Sequence, residues 1–169
     1  MTFLSTHRHQ QAFREFSRID GWNAPYAVTL TMKQGISSND QYGRAFLKLT
    51  PERASQNLSH FLKLLNKRVY GNAYTRFNAR IPVIPIREGG TQSRLHYHLM
   101  IDCPRDDLKP VYPELIRSLW GRTRWGHQQI DIQADADSGW INYISKLRDK
   151  PSFEDSIDWV NYASLDCRV

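Results

Sequence analysis

The sequence predicts an α+β protein built on a central antiparallel sheet of about five strands flanked by helices. Three features carry that expectation. β-rich stretches and helical periodicities follow one another in the order strand, helix, strand, strand, helix, strand, helix. Two-strand hairpins interrupted by helices fit an antiparallel sheet with helices packed mainly on one face. Neither an internal repeat nor a low-complexity linker breaks the 169 residues, which favours a single domain over 1–169. Within it, a basic segment covers about 1–22 and a more acidic tail about 151–169.

The basic segment mixes Arg8, Arg14 and Arg18 with His7, His9, Phe13 and Phe16, either as a short helix or as a mobile arm. In Tyr26-Ala27-Val28-Thr29-Leu30-Thr31-Met32, Val28, Leu30 and Met32 share one strand face while Thr29 and Thr31 take the other. The polar, Gly/Ser/Asn-containing stretch 33–42 reads as a loop. Thr50-Pro51-Glu52 starts a helix, with a capping hydroxyl, a proline at the first helical position and an acid in the first turn. Ala54, Leu58, Phe61, Leu62, Leu65 and Val69 recur at helical spacing, and Gly71 ends the run. The apolar run 81–88 contains Pro82 and Pro85, so it is an edge strand or pairs only in its later part. Leu115, Ile116, Leu119 and Trp120 mark a further helix, 130–133 a short strand, and about 137–149 a last helix stopped ahead of Pro151.

A formal charge of +6 and a pI near 9.5 point to a polyanionic partner, nucleic acid being the commonest. Lys67-Arg68 and Tyr74-Thr75-Arg76-Phe77-Asn78-Ala79-Arg80 interleave cations with aromatics, a composition that suits single-stranded nucleic acid. Lys67, Arg68, Tyr74, Arg76 and Arg80 are therefore candidate contacts. Cys103 and Cys167 match no zinc or disulfide pattern, as expected in a reducing compartment. The first residues lack the apolar run of a secretory signal, and no stretch is apolar enough to span a bilayer. The expected location is the cytoplasm, with no membrane partner.

Chemistry concentrates in Arg94-Leu95-His96-Tyr97-His98-Leu99-Met100-Ile101-Asp102. On a strand His96 and His98 share a face, about 7 Å apart at the backbone, close enough for their ring nitrogens to converge on one metal ion. The segment 88–94 has the turn residues to join two antiparallel strands. A turn centred on Gln92 sets Glu88 opposite His96, with Cβ atoms about 5 Å apart. The result is a two-His, one-carboxylate group, whereas a slip of one residue puts Glu88 on the Tyr97 face. Asp102 shares the histidine face but stands about 13 Å from His98, too far for one ion. Such ligands suit several divalent metals, from manganese and iron to zinc.

The last helix adds a phenol. Trp140, Ile144 and Leu147 form its apolar stripe, and Tyr143, Lys146 and Lys150 a neighbouring one. A free phenol titrates near about 10 and is a poor nucleophile at neutral pH. A cation beside it favours the phenolate, and a metal on the target makes that target more electrophilic.

On these residues the sequence resembles the HUH family of single-strand DNA endonucleases, specifically the replication initiators of rolling-circle plasmids and phages. Three motifs stand in that family's order. Ala27-Val28-Thr29-Leu30-Thr31 loosely matches the first, His96-Tyr97-His98 preceded by Glu88 the second, and Tyr143-x-x-Lys146 with Lys150 four residues on the third. The pattern Trp120…Trp125-Gly126…Ile130-Asp131-Ile132 is also similar to bacterial initiators, and the likeness spans about 26–150. It implies an HUH, ferredoxin-like palm that nicks and rejoins DNA by transesterification. Glu88, His96 and His98 would hold magnesium or manganese, and Tyr143 would form a 5′-phosphotyrosine link, leaving a free 3′-hydroxyl. Lys146 would stabilise charge near the phosphate or help orient the metal site, and Lys150 would contact DNA. The implied partners are single-stranded or hairpin origin DNA and, since the chain has no room for a helicase domain, a host helicase and polymerase in a bacterial cytoplasm. One motif tyrosine, with Tyr162 outside it, argues against a two-tyrosine relay. A single-strand transposase of the same chemistry is the nearest alternative. An iron oxygenase gives Tyr143 and Lys146 no task, and a non-catalytic nucleic-acid module leaves the histidines incidental.

Overall fold

The computed structural model describes residues 3–17, 20–41, 43–90, 93–146 and 153–165. In chain order the elements are α1 (Phe3–Phe16), β1 (Pro25–Met32), β2 (Gly35–Asp40), β3 (Gly43–Lys48), α2 (Pro51–Tyr70) and α3 (Asn72–Arg76). They continue with β4 (Val83–Glu88), β5 (His96–Asp102), α4 (Tyr112–Gly121), β6 (Gly126–Ala134), α5 (Ser138–Ile144) and α6 (Phe153–Ser156). The architecture is the expected α+β one. Its main sheet has four antiparallel strands in the order β4-β5-β1-β6. The basic N-terminal segment is a helix, not an arm, from Phe3 to Phe16.

The stretch 33–42 is not a loop. It supplies β2, which pairs with β3 in a separate hairpin. Ser37, Ser38 and Asn39 carry no apolar alternation, so the periodicity that marks a half-buried strand is missing. Backbone pairing defines the strand instead, from Gly35 opposite Lys48 to Asp40 opposite Gly43.

Period-two alternation divides the main sheet into two faces. On one, Val28, Leu30 and Met32 of β1 join Tyr97, Leu99 and Ile101 of β5 under α2 and α4. Phe61 of α2 meets Trp120 of α4 edge to face, with centroids 5.5 Å apart. The Thr50 hydroxyl accepts from Arg53 N at 3.3 Å, capping α2, and Gly71 N closes on Lys67 O at 2.9 Å. Each Leu or Phe buried there contributes about 1.5–3 kcal/mol.

The other face carries helices too, contrary to the expectation that they sit mainly on one side. Ile84, Ile86 and Met100 pack with Phe13 of α1, Ile141 and Ile144 of α5, and Phe153 and Ile157 of the tail. Ile84, Ile86 and Met100 give β4 and β5 apolar residues on this second face as well, so part of it also needs cover. The cover leaves Glu88, His96 and His98 together with Thr29 and Thr31 of β1 on the same face.

β4 is an edge strand of the sheet, which resolves the two prolines of the run 81–88. Asp102 N donates to Pro82 O at 3.0 Å, just before the strand begins. Val83 turns its own N–H and C=O outward, exchanging both with Ala163 of the tail. Pro85, two residues on, therefore directs its missing N–H away from β5, and its carbonyl accepts from Asp158 N at 3.0 Å. The tail thus closes along the edge. Its buried Asp158 accepts from Tyr97 Oη at 2.7 Å, Ser55 Oγ at 3.0 Å and Asn161 Nδ2 at 2.8 Å.

α5 is shorter than its periodicity suggests, ending at Ile144 instead of near 149. Asp137 caps its start, accepting from Trp140 N at 3.2 Å. At its end the Ser145 carbonyl accepts from Gln10 Nε2 of α1 at 2.7 Å, and Arg14 Nε donates to Ser145 Oγ at 2.8 Å. A carbonyl engaged by a side chain 135 residues away satisfies the helix end without a further turn. Among the described residues no helix is long and apolar enough to cross a membrane.

Candidate active site

The β4–β5 turn fixes the register on which the site depends. Gly89 has φ +81°, and a Cβ added there would stand 2.3 Å from the Arg94 carbonyl oxygen. Only glycine fits that approach. Gly90 N then donates to Ser93 O at 2.8 Å. Residues 91 and 92, where the turn's centre was expected, lie outside the described residues, but the paired strands carry the register itself: Glu88 opposes His96 and Ile86 opposes His98.

The three candidate ligands converge. Nε2 of His96 and Nε2 of His98 are 3.2 Å apart, and Glu88 Oε2 lies 3.7 Å from the first and 3.3 Å from the second. For metal–ligand bonds of about 2.1 Å, adjacent octahedral ligands stand about 3 Å from one another, so two nitrogens and a carboxylate oxygen at these spacings fit one small divalent ion. His98 is buried, while Glu88 and His96 are half-buried.

The other ring nitrogens are also engaged. His96 Nδ1 faces the Arg94 carbonyl at 2.8 Å. A carbonyl can only accept, so Nδ1 carries the proton and, in the neutral ring, Nε2 presents its lone pair to the group. His98 Nδ1 is 3.0 Å from Thr29 Oγ1, contributed by β1 directly opposite His98. Such partners orient ligating imidazoles. Thr31, opposite His96, is turned elsewhere: its hydroxyl donates to Gln129 O and lies 3.4 Å from His127 Nδ1.

α5 delivers the phenol. The Tyr143 ring stands edge-on to His98, with centroids 5.7 Å apart, and is 42% exposed. Trp140 stacks on Tyr143 at 5.4 Å and also meets His98 edge-on at 5.5 Å, while its Nε1 donates to Leu99 O at 3.0 Å. Lys146, two residues beyond the helix end, places Nζ 5.6 Å from the Tyr143 ring centroid. The sequence model of the replication-associated protein ORF2 family matches residues 25–151. The chain belongs to that family. As a replication-associated protein of the rolling-circle Rep type it has a role in replication and in contact with DNA, and the matched span runs from the start of β1 past Lys146. The curated proteins and the solved structures compared with this family member gave no match.

Other residues singled out in this replication-associated chain lie apart. Lys67 and Arg68 are exposed on the last turn of α2, where Arg105 Nη1, just beyond β5, donates to Val69 O at 3.0 Å. That is the Asp102 end of β5, six residues or about 20 Å from His96. Tyr74 and Arg76 belong to α3 at the same corner. The Arg80 guanidinium lies 4.2 Å over the Tyr74 ring and donates to the Tyr74 and Ala79 carbonyls. None of the five stands beside the histidines, and Lys150 lies outside the described residues. Asp102 is buried, its carboxylate accepting from Asn23 N and Ala24 N. Tyr97 sits on the opposite face, and burial together with Asp158 pushes its phenol well above the usual range.

Sequence reading missed Thr29 and Trp140 as site residues. The first lay within reach, since the alternation of β1 put Thr29 and Thr31 on one face, but β1 and β5 are not consecutive and their pairing has no local signal. Trp140 read only as part of an apolar stripe.

Proposed function

We propose that the protein is a metal-dependent tyrosine endonuclease that nicks and rejoins single-stranded origin DNA and so initiates rolling-circle replication. The observation that carries this reading is the approach of an exposed Tyr143 ring to His98 within the Glu88–His96–His98 group. Glu88 Oε2 and the two Nε2 atoms would hold the cation, magnesium or manganese, which supplies Lewis acidity toward a phosphate oxygen when bound.

The chain's own residues do the rest. Tyr143 Oη attacks the scissile phosphorus, an O–P bond forms, and the bond to the 3′ oxygen breaks. The phenol proton is lost and the departing 3′ oxygen takes one up, so a 5′-phosphotyrosine and a 3′-hydroxyl result. A later 3′-hydroxyl reverses the exchange, and no ATP is needed because one phosphodiester replaces another. Trp140 positions the phenol against His98, and the positive charge of Lys146 stabilises the charge developing on phosphate. Thr29 and the Arg94 carbonyl orient the imidazoles.

Lys67, Arg68 and Arg76 would contact DNA far from the nick, with Arg80 and Tyr74 shaping that corner, and Lys150 would be a further DNA contact. A host helicase and polymerase, in the bacterial cytoplasm, would supply unwinding and synthesis. Incubation with origin single strands and Mn²⁺ should give a covalent protein–DNA band on a denaturing gel, lost in Tyr143→Phe. A band of equal strength from that variant would sink the proposal.

A further inference from the structure

The β2–β3 hairpin carries a surface that neither the metal group nor the α2–α3 corner explains. Along β3, Arg44, Phe46 and Lys48 face solvent while Ala45 and Leu47 turn inward and are partly buried. Phe46 is 74% exposed, a large ring outside any core. It is nonetheless held in place: it lies across Gly35 of β2, where a Cβ would come within 2.1 Å of the ring. A fixed aromatic face with a cation two residues to either side can stack a base and neutralise the phosphates next to it.

Under the hairpin, Arg53 and His60 of α2 face Arg122, Arg124 and Trp125 of the α4–β6 turn across a concavity of about 490 Å³. Among the described residues that line it there is no carboxylate. Its walls are fixed. Arg53 donates to the Lys48 carbonyl and Arg124 Nη2 to Ser38 Oγ at 3.2 Å. Asn57 Oδ1 accepts from Trp125 N at 3.1 Å, and its Nδ2 donates to Thr123 Oγ1 at 3.0 Å. The hairpin is rooted beside the catalytic end of the sheet. Gln34, one residue before β2, accepts from Leu95 N at 2.9 Å and donates to Leu95 O at 3.1 Å, so its anchor is the residue before His96.

We propose that the outer face of β2–β3 and the cationic concavity beneath it form a second binding surface for unpaired DNA flanking the cleavage point. Bases would stack on Phe46, with Arg44, Lys48 and the guanidinium groups of Arg53, Arg122 and Arg124 along the backbone. The occupant is unpaired because Phe46 needs an open base face, and in a duplex each base face is covered by its neighbour. This inference rests on DNA being the substrate of the catalytic site.

The test is fluorescence anisotropy of the full chain with 30-residue oligothymidylate and with a 30-base-pair duplex, in EDTA so that no strand is cut. Phe46→Ala should weaken oligothymidylate binding by about tenfold, the loss of one stacked base, and leave duplex binding unchanged. Phe46→Trp should restore it, and Arg44→Glu with Lys48→Glu should weaken it further and flatten its salt dependence. Mn²⁺ affinity should match the wild type in all three variants. Unchanged oligothymidylate binding by Phe46→Ala, or an equal loss on duplex, would overturn the proposal. Loss in Phe46→Ala from a wild type that binds but never cuts origin DNA would uphold this surface and refute the nickase alone.

Discussion

Thr29→Val removes one hydroxyl and keeps the β-branched shape, which isolates what that hydroxyl does. In the structure it lies 3.0 Å from Nδ1 of the buried His98, whose Nε2 belongs to the candidate metal group. Losing a partner of this kind typically weakens metal binding about 10- to 100-fold, or about 1.4–2.7 kcal/mol. The fold itself loses one neutral hydrogen bond, about 1 kcal/mol, and at this chain length Tm falls by only about 2–4 °C. Thr31→Val is the control. It sits on the same face two residues on, but its hydroxyl serves Gln129 O and lies near His127, so Mn²⁺ affinity should stay within about twofold of wild type. Calorimetric titration of Mn²⁺ into the three proteins decides the matter. Wild-type affinity in Thr29→Val, or the same loss in Thr31→Val, would refute the assignment of Thr29 as the orienting partner.

Other expectations follow from single contacts. Gly89→Ala should destabilise the fold by about 1–3 kcal/mol in urea and weaken Mn²⁺ binding as well, because the new Cβ meets the carbonyl that orients His96. Tyr97→Phe should cost about 1–3 kcal/mol by taking one donor from buried Asp158, yet leave nicking unchanged, since Tyr97 lies on the far face. Burial raises the phenols of both Tyr97 and Tyr112, so the folded state keeps protons that the unfolded chain gives up above about pH 10. The contribution of these phenols to stability should therefore be flat below that pH and fall above it, and Tyr97→Phe should fall less steeply in alkaline urea melts. Lys146→Ala should slow cleavage by up to about 100-fold with little change in DNA affinity, and an unchanged rate would remove Lys146 from the chemistry.

Local signals carried most of what the sequence made legible. Glu88 could be placed opposite His96 because a short glycine turn sets hairpin register within a dozen residues, and the observed pairing is that one. The ends of α2 were equally plain, because Thr50, Pro51 and Gly71 act on their own helix. Distant partners were not legible. The end of α5 depends on Gln10, the orientation of His98 on a strand 69 residues earlier, and the cover over the histidine face on a tail whose acidic composition left open whether it closes over the domain or extends freely. The β2–β3 hairpin escaped because polar strands leave no periodicity. The cation–aromatic stretch around Arg76 shows the limit of composition: cations and rings do alternate there, but Arg80 folds onto Tyr74 and the corner lies at the other end of the sheet from His96.

The central claim is that Tyr143 becomes bonded to DNA beside the Glu88–His96–His98 group. Its most direct test is mass spectrometry of the protein after reaction with origin single strands and Mn²⁺, nuclease trimming and proteolysis. On that chemistry the expected product is a nucleotide joined through its 5′ phosphate to Tyr143. A nucleotide on any other residue, Tyr97 or Tyr162 included, or none at all from DNA that has been cut, would contradict it.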